Sequence, residues 1–304
     1  MARNDASGDQ RPRSLRGGMV CAIVVTHNRK GLLGECLSGL GKQTRPPERV
    51  LVVDNASTDG TPEMLAREFR DVEVLTLPVN EGSAGGFHEG MKRAHANGAD
   101  WLWLMDDDTV PGPEALAELL AAPARLDGAR PPSLLLSKAL WRDGRMHPMN
   151  TPWPARKRPE SMVEGAERGL MPLGSATWIS LLVHRGVIDR HGLPLKHFFI
   201  WSDDIDYTGR VLAAEAGYLV PTSVVVHKTE TPHTAMSAAP DRFYYHVRNT
   251  TFIIRGPGRT GRDRVVFAWL LVSSTGEYLA RNPSLGGLRA VLRGLRDGLR
   301  PLPA

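Results

Sequence analysis

The stretch that most limits how this chain can fold is MVCAIVVT, residues 19–26, an unbroken apolar and β-branched run that stops at Thr26, His27 and Asn28. A strand with one wet face alternates apolar and polar residues. A strand without alternation is buried on both faces, as in the parallel sheets of α/β proteins. RVLVVDN (49–55), VEVLTLP (72–78) and WLWLM (101–105) repeat the pattern, and helical spacing fills the gaps between them. KGLLGECLSGLGKQ puts Leu33, Leu37 and Leu40 on one face, and Thr61-Pro62 opens a helix through Phe69. GGFHEGMKRAHANG (85–98) closes on Asn97-Gly98, and GPEALAELLAA follows the fourth strand. Strands alternating with helices predict an α/β fold, a Rossmann-like mostly parallel sheet flanked by helices with right-handed crossovers.

That architecture predicts where chemistry sits, because ligands bind at the carboxyl ends of parallel strands. Thr26, His27 and Asn28, then Asp54 and Asn55, then Asn80 and Glu81, then Asp106, Asp107 and Asp108 end the successive strands and should converge on one rim. The three aspartates need explaining. Two carboxylates ~5 Å apart repel by ~3 kcal/mol at an effective dielectric near 20. Three together require a compensating cation or an open acidic loop. Hard divalent cations take oxygen ligands, so an Asp-x-Asp at a strand end is a platform for a metal–diphosphate. A solvated acidic loop is the plainer alternative.

The region from about 123 to 170 is rich in proline, arginine and glycine and reads as a long loop crossing the rim. Order resumes with GSATWISLLVHRGVIDRHG (174–192), a strand and a short helix, and with FFIWSDDIDYTGRVLAAEAGY (198–218), an aromatic segment entering a helix. There Ser202 is a candidate N-cap, and Asp203, Asp204 and Asp206 suit a helix first turn. Phe198, Phe199 and Trp201 form an apolar wall beside acids, one of which could act as general base on a hydroxyl. LVPTSVVVHK (219–228) is a strand ending at His227, a metal ligand or a structural histidine, with His233 as a competitor. DRFYYHVRNTTFIIRG (241–256) is helical. NEGSAGGFHEG (80–90) allows close backbone approach at a helix start, but it is not a P-loop, and HNRKG after the first strand is not a dinucleotide fingerprint.

Composition narrows the setting. The two cysteines of 304 residues, Cys21 and Cys36, fall in apolar or helical patterns and are expected to be buried free thiols, which suits a cytoplasmic protein. The longest apolar run, VVFAWLLV (265–272), falls short of the ~18 residues of a membrane span. Residues 1–18 read as a disordered basic tail rather than a signal peptide. Formal net charge is +5, and no nucleic-acid partner is expected. In LRAVLRGLRDGLR, Leu288, Val291, Leu292, Leu295 and Leu299 share one helical stripe and Arg289, Arg293, Arg296 and Arg300 another. This is the pattern of an interfacial helix on an anionic membrane, or of a surface helix packing its leucines on the domain.

VVTHNR, VVDNASTDGT, NEGSAGGF, WLMDDDTVP, SDDID and VVVHK, in that order across about residues 19–255, together resemble glycosyltransferase family 2, the inverting enzymes of GT-A fold. Within it the chain is most similar to bacterial galactofuranosyl- and rhamnosyltransferases of cell-envelope polysaccharide synthesis. The resemblance implies a catalytic domain over 19–256, with a nucleotide-binding half at 19–122, an acceptor half at 171–256, and a basic helical region at 257–304. It implies a UDP- or dTDP-sugar donor, a glycan or polyprenyl-linked acceptor, Mn2+ or Mg2+, and peripheral contact with the inner face of the membrane. Thr26, Asn28 and Asp54 would hold base and ribose, with Asn80, Gly82, Gly85 and Gly86 walling the nucleotide. Asp106 and Asp107 would bind the donor. Asp106, Asp108 and His227 would hold the metal. Asp204 would be the base, with Asp203 beside it, and Trp201 and Trp178 would contact the acceptor. Ser-Asp-Asp replaces the commoner Gly-Glu-Asp, which leaves either Asp203 or Asp204 as the base. Two rivals remain: a haloacid-dehalogenase-like phosphatase with Asp106 as nucleophile, and a sugar-nucleotide-binding module without catalysis.

Overall fold

β1 (Val20–Thr26) lies inside the sheet, and its residues are buried from end to end. The computed structural model describes residues 18–126, 132–155, 159–231, 235–257 and 259–301; the expected basic tail up to residue 17 and His233 lie outside them. From β1 the chain runs through α1 (Lys30–Gly41), β2 (Arg49–Asp54), α2 (Thr61–Glu68), β3 (Glu73–Thr76), α3 (Gly82–Ala96) and β4 (Trp101–Asp106), all as the alternation predicts. β1 pairs in parallel with β2 and β4, and β2 with β3, giving the order β3-β2-β1-β4. Val20, Ala22 and Val24 enter one apolar cluster and Cys21, Ile23 and Val25 the other, one on each face of the sheet. Two-sided burial is why the strand shows no polar alternation. Both cysteines are free and buried, and burial pushes the Cys21 thiol up to about 12.

The second half comprises β5 (Thr109–Pro111), α4 (Ala115–Ala121), β6 (Leu134–Leu140), β7 (Trp153–Pro154), α5 (Pro159–Glu167), β8 (Met171–Ser175), β9 (Leu181–His184), α6 (Gly186–His191), α7 (Asp203–Ala214) and β10 (Gly217–His227). It extends the sheet as β4-β9-β6-β10-β8-β7, with β5 on β10. The long loop expected over 123–170 is corrected here. SLLLSKAL, between proline- and glycine-rich neighbours, forms β6, an inner strand parallel to β10 whose Leu134 and Leu135 are fully buried. Seven residues of strand are easily outweighed by the loop-like composition around them.

α8 (Pro240–Arg255), α9 (Gly261–Arg281) and α10 (Leu285–Gly298) complete the described chain. Phe243 of α8 stacks on Tyr278 of α9 with centroids 3.6 Å apart. α10 meets α8 through small residues: a Cβ on Gly294 would lie 2.8 Å from Val247 Cβ, and one on Gly298 2.6 Å from Thr251 Cβ. The leucine stripe therefore splits. Val291 is buried and Leu295 half-buried against α8, while Leu288, Leu292 and Leu299 stay exposed. Among the described residues no helix is long and apolar enough to cross a membrane.

Candidate active site

The strand termini do converge. Asp106 ends β4 in register with Val25 of β1, at the point where strand order reverses. The next two aspartates turn into β5, which pairs antiparallel with the end of β10 so that Thr109 faces His227. The Lys228 amide donates to the Asp108 carbonyl at 2.7 Å, and sheet register thus brings His227 beside Asp108. His227 Nε2 lies 3.2 Å from Asp108 Oδ1, yet that buried oxygen takes no hydrogen bond. His227 Nδ1 donates to Asn150 Oδ1 at 2.7 Å, which orients the ring with Nε2 toward Asp108. His147, its ring tilted by 35° with the centroid 4.5 Å away, backs the imidazole.

An unpartnered carboxylate oxygen and an imidazole nitrogen facing each other fit a divalent cation. Among the described residues no group of three His, Cys, Asp or Glu side chains could hold a metal alone. A cation that also takes diphosphate oxygens and water needs only one or two protein ligands. Of the expected metal residues, Asp108 and His227 are brought together, and Asp106 is half-buried next to them.

The charge problem posed by the triplet has its own solution. Arg29, just before α1, reaches Asp108 Oδ2 at 2.7 Å and Asp107 Oδ1 at 3.3 Å. Asp108, despite its burial, is held below the usual carboxylate range by His227 and then Arg29. Asp107 is turned inward: it is 3 % exposed and accepts the Thr26 hydroxyl at 2.7 Å. Burial lifts it to about 6, against the pull of Arg29. Its expected donor contact, and that of the Thr26 side chain, is corrected accordingly, since each is spent on the other. Burial and the two neighbouring carboxylates push Asp106 well above the ordinary range.

On the nucleotide side, Asp54 is buried at the end of β2, with Oδ1 accepting from the Ser57 amide and Oδ2 unpartnered. Asn28, at φ 54°, accepts from the Thr58 amide, and Asn80 from the Gly82 amide. The expected role of the glycines needs correction. A Cβ on Gly82 would lie 2.0 Å from Phe199 O, on Gly85 2.3 Å from Glu81 Cβ, and on Gly86 2.4 Å from Val25 Cγ1. They let α3 pack on its neighbours in the protein, and this close approach accounts for them without a ligand.

Across the cleft, Asp203 and Asp204 open α7. Ser202 holds the N-cap position with φ 66° but makes no side-chain cap, contrary to the capping expected of it. Asp203 is buried and accepts the Trp178 indole N–H at 2.7 Å. Trp178 is 3 % exposed, packed on Phe87 at 4.9 Å and Tyr207 at 5.7 Å, so it supports Asp203 and cannot stack on an acceptor as expected. Trp201 is half-buried. Burial raises Asp203 to about 6; burial and then the Asp203 charge raise Asp204 to about 8. Asp206 belongs elsewhere, bonded to Arg210 at 2.9 Å. The Ala84 amide at the start of α3 donates to Phe199 O at 3.1 Å, so the segment entering α7 packs against the end of the donor half, and the Asp203 charge adds to the upward push on Asp106. Arg29, Asn150 and the Trp178 bond escaped sequence reasoning. Only Arg29, inside the motif VVTHNR, carried a signal that could have found it.

Residues 21–128 match the model of glycosyl transferase family 2. The chain is 26 % identical to galactofuranosyltransferase GlfT1 of Mycolicibacterium smegmatis over 310 residues, covering 93 % of this chain and 97 % of that one. It is also 26 % identical to the N-acetylglucosaminyl-diphospho-decaprenol L-rhamnosyltransferase of Mycobacterium tuberculosis, covering 83 % of this chain and 89 % of that one. The crystal structure of S. aureus TarS 1–349 in complex with UDP superimposes with a TM-score of 0.61 at 16 % identity, over 92 % of this chain and 80 % of that chain. The sheet flanked by helices, expected from the strand pattern, is thus the glycosyltransferase fold that the resemblance implied. The chain carries a glycosyl transferase family 2 domain at residues 21–128 and is a glycosyltransferase.

Proposed function

We propose that the protein is an inverting, metal-dependent hexosyltransferase. It would move galactofuranose or rhamnose from a UDP- or dTDP-sugar to a hydroxyl of a lipid-linked or polysaccharide acceptor in cell-envelope glycan synthesis. The names of the relatives support the sugar and the decaprenyl-linked acceptor. The observation that carries the mechanism is the acid pair at the start of α7, with Asp203 held by the Trp178 indole and Asp204 raised by burial and by the Asp203 charge.

Asp108 and His227 would hold the divalent ion, Mn2+ or Mg2+, which offsets charge on the departing nucleoside diphosphate when bound. Asp54 Oδ2, an acceptor without a partner, supports a role toward the nucleotide. Asp204 accepts the proton of the acceptor hydroxyl. Its raised pKa gives a carboxylate basic enough to take that proton near neutral pH. Attack from the side of Asp204, opposite the rim, inverts the sugar carbon. Asp203, fixed by Trp178, orients the pair.

The C-terminal helices would bring the enzyme to a lipid-borne acceptor. Val265, Trp269 and Val272 form an exposed stripe on α9, on the side away from Phe267 and Tyr278, which are buried. On α10 the exposed Leu285, Leu288, Leu292 and Leu299 run beside Arg289, Arg293, Arg296 and Arg300. Apolar stripes with arginines alone as the flanking cations suit an anionic bilayer surface. Screening the purified protein against UDP-galactofuranose, dTDP-rhamnose and common UDP-sugars, with and without Mn2+, tests the donor and metal reading. Turnover with neither named donor overturns the sugar. Sedimentation with anionic but not neutral vesicles tests the surface, and loss of it in Trp269→Ser with Leu292→Ser is expected.

A further inference from the structure

The segment that delivers the acid pair is under unusual backbone constraint. Phe199, Trp201 and Ser202 have φ of 64°, 65° and 66°. A residue with a side chain in the left-handed region costs on the order of 1 kcal/mol or more. Three within four positions must be held from outside. α8 supplies the hold. Asn249, fully buried, points Nδ2 at the carbonyl oxygens of Phe198, Ile200 and Trp201 at 2.9, 2.8 and 2.8 Å. Its neighbour Arg248 donates from Nη2 to His197 O at 2.6 Å and Phe198 O at 2.8 Å. Arg248 is itself fixed, donating to Asn249 Oδ1 at 3.0 Å and lying 4.8 Å from the Tyr245 ring centroid. From the opposite side the Ala84 amide donates to Phe199 O at 3.1 Å, and bare Gly82 fits against that carbonyl. The carbonyls of residues 197–201 are thus held by one clamp from α8 and one from the start of α3.

We propose that Asn249, with Arg248, is a positioning residue for the transfer reaction: it fixes the path of residues 197–202 and through it the place of the Asp204 carboxyl and of Trp201 against the acceptor. This rests on the reading of Asp204 as base. Neither Asn249 nor Arg248 touches the reacting atoms. The clamp acts on the acceptor side, so its loss separates chemistry from nucleotide binding. A base displaced by about 1 Å costs on the order of 10²-fold in rate.

The test is steady-state kinetics of Asn249→Ala, with UDP affinity measured by calorimetry and the folded state checked by melting. The expected result is kcat lower by about 10²-fold with the UDP dissociation constant within about twofold of wild type. Arg248→Gln removes the His197 and Phe198 bonds together with the bond to Asn249 Oδ1 and the cation beside Tyr245, and leaves the Asn249 Nδ2 contacts; it is expected to show a smaller loss of the same kind, with activity recovered in Arg248→Lys. It also reads the clamp should Asn249→Ala not fold. Gly82→Ala, pressing on the same carbonyl from α3, is expected to lower kcat as well. Unchanged kcat in folded Asn249→Ala overturns the proposal, as does a kcat loss matched by equal loss of UDP affinity. Asp204→Asn run in parallel separates the two readings. Full activity there removes the base assignment, whereas a dead Asp204→Asn beside a normal Asn249→Ala removes only the clamp.

Discussion

Two carboxylates of the site stand at opposite extremes, Asp108 at the donor rim and Asp204 at the start of α7. At the donor rim, Asp107 and Asp108 are matched by Arg29, His227 and the Thr26 hydroxyl, and Asp108 is held low. At α7, Asp203 has a neutral indole donor and Asp204 the amide of Ile205, and both are pushed up. The same side chain is made a fixed anion in one place and a proton acceptor in the other. The difference lies in the cations nearby, since burial acts on both. Asp108 is built to stay charged against a cation and Asp204 to change charge during turnover, while Asp106 and Asp107 at the rim are pushed up as Asp203 is.

The largest effect that would break this comparison is at Asp204. Asp204→Asn is expected to lower transfer by about 10³-fold or more while UDP affinity holds within about twofold. The same variant should be more stable at high pH. A folded-state pKa raised above the unfolded value means the native state binds more protons between about pH 4 and 8, so wild-type stability falls as pH rises through that window. Asparagine removes that loss. Its melting temperature should exceed wild type at pH 8 by about 2 °C or more and match it near pH 4.

Asp108→Asn comes next. It removes the charge that faces His227, and Mn2+ affinity measured by electron paramagnetic resonance should fall by about 10²-fold, with donor turnover following. Equal Mn2+ binding in this variant would show that the rim is not the metal site. Trp178→Phe is smaller: the buried Asp203 loses its donor at a cost of about 1–3 kcal/mol, and melting should fall while UDP binding does not. Arg29→Gln sharpens the contrast most gently. With the internal cation gone, Mn2+ in the absence of nucleotide should bind a few-fold more tightly, because the metal no longer competes with a guanidinium for Asp108. Weaker binding would assign Arg29 to the metal-bound state instead.

The two halves of the cleft also differed in how legible they were. The donor half is a run of βα units in which β1, β2 and β4 are apolar runs ending in polar residues, so those strands and their polar termini follow from periodicity, whereas the short β3 alternates. Asp108 and His227 were readable as candidates, but their meeting depends on β5 lying antiparallel on the end of β10, a pairing no local pattern announces. Asn150, which orients the His227 ring, sits in the stretch whose proline content disguised β6. Trp178 and the glycines of 82–86 misled for a related reason. Aromatic and glycine residues near a site suit ligands and tight packing equally, and only the distances to Phe87, Asp203, Phe199 O and Val25 decide for packing. On α10 the leucines formed the more conspicuous stripe, yet Gly294 and Gly298 make the contact with α8, because small residues let helix backbones approach.

The pH dependence of kcat/KM for wild-type transfer tests the opposition between Asp108 and Asp204 most directly, because it reports the base of the free enzyme. If Asp204 is the base left without a cation, the rate rises with pH through a single deprotonation with a midpoint well above 4 and toward 8. A profile flat between pH 5 and 9, or one that falls across it, would contradict the account.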